Sequence, residues 1–165
     1  MKLVGVEFSN LHGNRENIMA VEKDEIIHTK QQKRAQFALD ELKDKVSKNE
    51  VDSKLATFIV GMPNMILSNG IGQSMAFLMG KAKSKPERKF VFYTMKKYLC
   101  QNYANVFGVF KQDDAQSDYD FLKKFNEVSQ NDYIKMQDEV LRMLEWLKRY
   151  ARAFETESKK ETASN

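Results

Sequence analysis

The sequence has few of the residues that build crosslinked or membrane-embedded proteins. Cys100 is its single cysteine, so the chain cannot form a disulfide within itself. A reducing compartment is the default expectation for such a chain. No apolar run approaches the roughly 18 residues of a membrane-spanning helix, and the first residues lack the long apolar stretch of a signal peptide. We therefore expect a soluble, cytoplasmic protein with no membrane contact.

The sequence also has few residues that interrupt helices. There are 2 prolines and 7 glycines among 165 residues, whereas 9 methionines and many Leu, Lys, Glu and Gln favour helix. A hydrophobic fraction of 42% with 30% charged residues is typical of a globular chain rather than a disordered one. We predict an all-α fold, a compact single-domain helical bundle of about five to six helices.

Apolar residues recur at spacings of three and four through most of the chain. This periodicity predicts a helical domain over residues 23–157, preceded by an arm at 1–22 and followed by a polar tail at 158–165. Pro63 is expected to end the second helix, and Asn69-Gly70 to stop the turn after it. Pro86 is expected to begin the next long helix. The predicted helices cover about 22–48, 51–62, 71–81, 86–107, 119–128 and 131–156.

Groups that could perform catalysis are sparse. His12 and His28 lie far apart, and no Cys-x-x-Cys or His-Glu-x-x-His spacing exists, so a zinc site is not expected. Acids between Asp113 and Asp120 could hold magnesium, but acids in a polar loop before a helix are more often caps and solvated charges. We predict no enzyme activity, no catalytic residue, no metal and no cofactor. A magnesium-dependent nuclease built on these acids is the alternative.

The segment Gly70-Ile71-Gly72 opens a helix and superficially resembles a phosphate-binding loop. It lacks the lysine and the spacing of a P-loop and follows no predicted strand. A turn between two helices is therefore the expected structure.

Positive charge is concentrated in one segment. Residues 81–97 contain seven basic residues and a single acid, a net charge of +6, so the rest of a chain with net charge +4 carries −2. A concentrated basic segment favours a polyanionic partner such as nucleic acid. A solvated linker between helices is the alternative.

Cations also flank aromatic residues on two predicted helices. Lys33 and Arg34 lie near Phe37, and Arg142 and Arg149 flank Trp146 at helical spacing. Such an arrangement suits phosphate contacts with stacking, or a protein partner. Ordinary packing of both aromatic rings on a wide apolar face is the alternative.

Three segments carry information beyond their helical periodicity. They are residues 32–38 (QKRAQFA), 62–78 (MPNMILSNGIGQSMAFL) and 139–151 (EVLRMLEWLKRYA). In order and spacing they resemble the small helical subunit of the type III-B CRISPR effector, the fifth protein of the Cmr complex. The resemblance spans about residues 30 to 154. It implies a helical bundle with no catalytic activity of its own, in a complex where other subunits cleave RNA.

The resemblance also implies the partners, which are other effector subunits, neighbouring copies in a short filament, and guide and target RNA. Among the basic residues of these segments, Lys33, Arg34, Lys148 and Arg149 match the family's pattern, and function is expected to concentrate on Arg34 and residues 146–149. The basic residues from 81 to 89 are added on charge alone. The candidate RNA contacts are Lys30, Lys33, Arg34, Lys81, Lys83, Arg88, Lys89, Arg142, Lys148, Arg149 and Arg152, and the candidate protein-interface residues are Phe37 and Trp146. A purely structural spacer with little RNA contact is the alternative function.

Overall fold

The structure is a computed structural model and describes residues 28–156. Over this range the chain forms helices and no strand, which confirms the predicted all-α class. None of the described helices is long and apolar enough to cross a membrane. The predicted arm at 1–22 and tail at 158–165 lie outside the described residues. The helices are α1 (Lys30–Ser47), α2 (Ser53–Asn69), α3 (Ile71–Ala82), α4 (Pro86–Asn102), α5 (Ala104–Phe107), α6 (Ala115–Glu127) and α7 (Gln130–Ala153).

Side-chain caps fix the start of four helices. At α1, the Thr29 hydroxyl accepts the backbone N–H of Gln32 at 3.2 Å, and the Gln32 side chain accepts the N–H of Thr29 at 2.8 Å. This reciprocal pair is a capping box, which satisfies two donors that a helix start leaves unpaired. Asp52, Asp114 and Ser129 cap α2, α6 and α7 through the N–H three residues later.

Several helix boundaries differ from the prediction. The first helix begins at Lys30 rather than near residue 22, because Thr29 is extended and caps it, and α6 begins at Ala115 rather than at 119. Pro63 does not end the second helix but lies inside α2, where it is buried in the core. Proline removes one helical hydrogen bond, and packing of the apolar face of α2 against α7 and α4 outweighs that loss. The predicted helix at 86–107 is divided at Tyr103, whose φ of −133° and ψ of 47° are not helical. The described residues therefore hold seven helices rather than about five to six.

The predicted stop at Asn69-Gly70 is confirmed. Gly70 joins α2 to α3 with a φ of 79°, a conformation that favours glycine. The next two N–H groups are taken by α7: Ile71 donates to the Gln137 side chain at 3.0 Å, and Gly72 donates to the Tyr133 hydroxyl at 2.9 Å. These are the donors that a phosphate would need. The segment is accordingly a helix-to-helix turn capped by α7.

The core lies around α4 and the inner face of α7. Ten of the 17 residues of α4 are buried, including Cys100, whose thiol pKa is raised by burial. On α7 the buried residues follow the predicted stripe, from Met136 through Val140 to Leu147. α7 packs against α1 and α2, and α3 packs against α4. This arrangement leaves the connection between α3 and α4, residues 83–85, at the surface.

The Tyr133 hydroxyl should contribute measurably to stability. In Tyr133→Phe the ring can keep its edge contact with Phe125, at 5.2 Å between ring centroids, while the Gly72 N–H loses its acceptor. We expect a loss of about 1 to 2 kcal/mol in the free energy of unfolding, measured by urea denaturation. The matched control is Tyr119→Phe, because Tyr119 is 63% exposed. Equal stability of Tyr133→Phe and the parent would contradict the capping role.

Candidate nucleic-acid interface

The candidate cations divide by whether a carboxylate of the same chain already holds them. A cation bound to a neighbouring acid must give up that contact before it binds a phosphate, whereas a free cation does not. Among the described residues, carboxylates hold Arg34, Lys89, Arg142, Lys148 and Arg152. Lys30, Lys33, Lys81, Lys83, Arg88 and Arg149 form no ion pair with any described residue.

The densest group of free cations lies where α3 meets α4. Lys81, in the last turn of α3, accepts the N–H groups of Ser84 and Lys85 at its carbonyl, at 3.2 and 3.0 Å. Lys81, Lys83 and Lys85 are exposed and unpaired within the described chain. Arg88, in the first turn of α4, also has no carboxylate partner there. We call these four residues the connector cluster.

The acids near the connector cluster are engaged elsewhere. Glu87, the acid of the basic segment, is mostly buried and pairs with Lys54 of α2 at 3.3 Å. Asp113 pairs with Lys89 at 2.7 Å, which removes Lys89 from the free cations. The connector cluster therefore forms no ion pair with these acids, although Lys85 lies close enough to Glu87 to help lower the pKa of that carboxyl.

Arg34 is not the exposed cation that the sequence suggested. Its residue surface is 6% exposed, and its Nε and Nη2 donate to the two carboxylate oxygens of Glu139 on α7, at 2.8 and 2.7 Å. The Tyr98 hydroxyl donates to the same carboxylate at 2.8 Å. The hydrogen bonds from Arg34 lower the Glu139 pKa, and the pair raises the pKa of Arg34. The expectation that Arg34 lies on an exposed edge is wrong, because its donors are used inside the fold.

Three of the four candidate cations on α7 are held by acids one turn away, and Arg149 is the exception. Arg142 pairs with Asp138 at 2.8 Å, Lys148 with Glu145 at 2.9 Å, and Arg152 with Glu155 at 2.7 Å. Spacings of three and four place such partners side by side on one helix face. The last helix therefore offers less free positive charge than its sequence suggests.

The predicted aromatic positions are partly buried against the core. Trp146 donates its indole N–H to Gln31 at 3.0 Å, and the Arg149 guanidinium lies 5.5 Å from the indole centroid. Phe37 makes an edge contact with Tyr98 at 4.8 Å between ring centroids. Both rings thus help to join helices of this chain, as the packing interpretation expected. Phe37 also lines a surface groove of about 550 Å³.

The acids considered as magnesium ligands have partners within the fold. Asp114 caps α6, and Asp120 accepts from the Gln116 side chain at 2.9 Å. Asp118 binds the ammonium of Lys96 at 2.6 Å and accepts the Tyr93 hydroxyl at 2.9 Å. Burial, together with this hydrogen bond, raises the Tyr93 pKa to about 12. No cluster of three or more His, Cys, Asp or Glu residues suited to a metal occurs in the described part of the chain.

For two lysines of the basic segment, Lys85 and Lys96, the structure differs from what the sequence indicates. Lys85 was counted in the basic segment but left out of the candidate contacts, although it is as free as Lys83. Lys96 belongs to the same segment but is 1% exposed, and its ammonium also bonds to the Lys111 carbonyl and the Ser117 hydroxyl. Its burial follows from the helical phase of α4, where residues 91–96 are all enclosed. Charge counting alone does not separate a buried lysine from an exposed one.

The contact between Arg34 and Glu139 should stabilise the fold. Arg34→Met removes the guanidinium and leaves a partly buried carboxylate with only Tyr98. We expect a loss of roughly 2 kcal/mol in the free energy of unfolding at pH 7, below the cost for a fully buried pair. Arg142→Met is the control, because its pair with Asp138 is exposed and screened by solvent, so its loss should leave stability almost unchanged.

The effect of Arg34→Met should also depend on pH. The Glu139 pKa is lowered in the folded protein, so its stabilising contribution is present above the carboxyl pKa of the unfolded chain. That contribution is lost as the pH falls through the lowered folded value. The stability difference between the parent and Arg34→Met should therefore shrink in urea titrations below about pH 4. A difference independent of pH would show that Arg34 acts through packing alone.

Comparison with known proteins supports the resemblance that was based on the three segments described above. No solved structure gives a significant match. The sequence model of the CRISPR-associated protein family Cas_Cmr5 matches residues 30–154, which is 125 of the 165 residues and takes in all seven helices. These bounds coincide with those of the resemblance. The chain therefore belongs to the Cas_Cmr5 family, the small subunits of the Cmr complex, a type III-B CRISPR effector.

Proposed function

We propose that this chain is a non-catalytic subunit that supports guide and target RNA in antiviral defence through contacts with the phosphate backbone. The observation that carries the proposal is the connector cluster, a group of cations that no described carboxylate neutralises. Lysine and arginine contacts to phosphates supply affinity without reading bases. Recognition of the target is then left to base pairing with the guide.

We further propose that the subunit stacks with copies of itself along the inner side of the effector, in the cytoplasm. A single copy with a few phosphate contacts binds weakly, and several copies on one strand add their contacts through high effective concentration. The groove beside Phe37 is the proposed protein-facing surface, because Phe37, Leu39 and Tyr150 line it with apolar area. Trp146 lies one turn before Tyr150 on α7, and the centroids of the two rings are 5.9 Å apart.

The absence of catalysis is part of the proposal and is supported by the engagement of the acidic loop. Asp113, Asp114 and Asp118 are used in an ion pair, a helix cap and a buried lysine contact. A magnesium nuclease needs carboxylates that are free to converge on the ion. The second candidate function is a structural spacer, and the surface groove beside Phe37 favours it because a neighbouring subunit could fill it.

Neutralising the three lysines of the connector cluster should weaken RNA binding. In the triple variant Lys81→Gln, Lys83→Gln, Lys85→Gln, three free cations are lost from exposed positions with little cost to folding. We expect the slope of log affinity against log salt concentration to fall in magnitude by about 2 to 3 for three lost phosphate contacts. Filter binding of RNA across a salt series measures this slope for the parent and the variant.

The matched control removes the same charge from α7. The triple variant Arg142→Gln, Lys148→Gln, Arg152→Gln also lowers the net charge by three, but each of these cations is already paired. We expect its salt slope to stay closer to that of the parent. A larger effect from the α7 variant would move the RNA contact to the last helix. No effect from either variant would favour the spacer.

A further inference from the structure

Arg88 has surroundings unlike those of the other candidate cations. Its guanidinium carbon lies 4.6 Å from the ring centroid of Phe77 and 5.8 Å from that of Phe58. Its Nε is buried without an acceptor, and no described residue makes a hydrogen bond or ion pair with its side chain. The two rings hold the guanidinium in place while its donors stay unused. A preorganised, unsatisfied guanidinium is suited to an oxyanion.

Phe77 extends this surface towards solvent. It is 42% exposed, although most large apolar residues of the described chain are buried. Lys81 follows it by four residues on α3 and therefore lies on the same helix face. An exposed ring, a stacked guanidinium and free lysines thus occur together at the end of α3 and the start of α4.

This combination is the one that single-stranded nucleic acid requires. Strands without sequence preference are bound by cations that follow the backbone and by aromatic rings on which bases stack. In a duplex the base faces are covered by neighbouring bases, so an exposed ring adds little there. A protein partner fits this surface less well. Charged residues are depleted at the centre of protein interfaces, and here a partner would face four cations that form no ion pair within the described chain.

We infer that Phe77 and Arg88 form a binding site for an unpaired nucleotide, in which Phe77 stacks on the base and Arg88 contacts the adjoining phosphate. This inference rests on the proposed function and narrows it, because it assigns the connector cluster to single-stranded RNA in preference to duplex. Lys81 and Lys83 contact the neighbouring phosphates of the same strand.

The test compares two RNAs on the full-length chain at low salt. The probes are a fluorescein-labelled oligouridine of twelve nucleotides and an RNA duplex of twelve base pairs, followed by fluorescence anisotropy. Phe77→Leu removes the ring and keeps apolar bulk, and Arg88→Lys keeps the charge and loses the planar donors. Each should weaken binding of the single strand by at least about fivefold and change duplex binding by less than about twofold.

The control is Phe154→Leu. Phe154 is 39% exposed, close to the value for Phe77. This variant should change the affinity for neither RNA. Thermal unfolding of each variant shows whether it is folded, and Arg88→Lys gives an independent result if Phe77→Leu is not.

The outcomes separate this inference from the proposed function. Equal weakening of both RNAs, or unchanged binding of the single strand, overturns the nucleotide site and leaves backbone support by the lysines intact. If the parent chain binds neither RNA at low salt, both the site and the proposed function are wrong.

Discussion

The ion pair between Arg34 and Glu139 holds together two helices of the bundle whose paired residues lie 105 positions apart in sequence. It joins α1 to α7 through two short hydrogen bonds, and the Tyr98 hydroxyl brings the buried helix α4 to the same carboxylate. α2 packs against α7 and α4, α3 packs against α4, and Tyr133 and Gln137 of α7 cap the start of α3. The end of α3 and the start of α4 then emerge together at the surface.

The same preference of cations for nearby carboxylates decides which cations of the surface are free to bind a polyanion. On α7 the basic residues find acids three or four positions away, so much of their charge is neutralised within the helix. In the connector cluster the neighbouring acids, Glu87 and Asp113, are held by Lys54 and Lys89. The free positive charge is therefore local, although the whole chain has a net charge of only +4.

Features set by local chemistry were predictable from the sequence, and features set by tertiary packing were not. The stop at Gly70 and the start at Pro86 follow from backbone preferences of glycine and proline, and the stripe on α7 follows from helical periodicity. The continuation of α2 through Pro63 depends on burial against other helices. Arg34 is buried because Glu139 lies opposite it, 105 residues away, which no local pattern reveals. The stacking of Arg88 on Phe77 is hidden for the same reason.

We propose that RNA lies against the end of α3 and the start of α4. The most direct measurement is photochemical crosslinking of RNA containing 4-thiouridine to the assembled effector, with the crosslinked peptides of this subunit identified by mass spectrometry. We expect crosslinks within residues 77–89, with Phe77 the main attachment site. Crosslinks confined to α7 between residues 142 and 152, or an absence of crosslinks to this subunit, would contradict it.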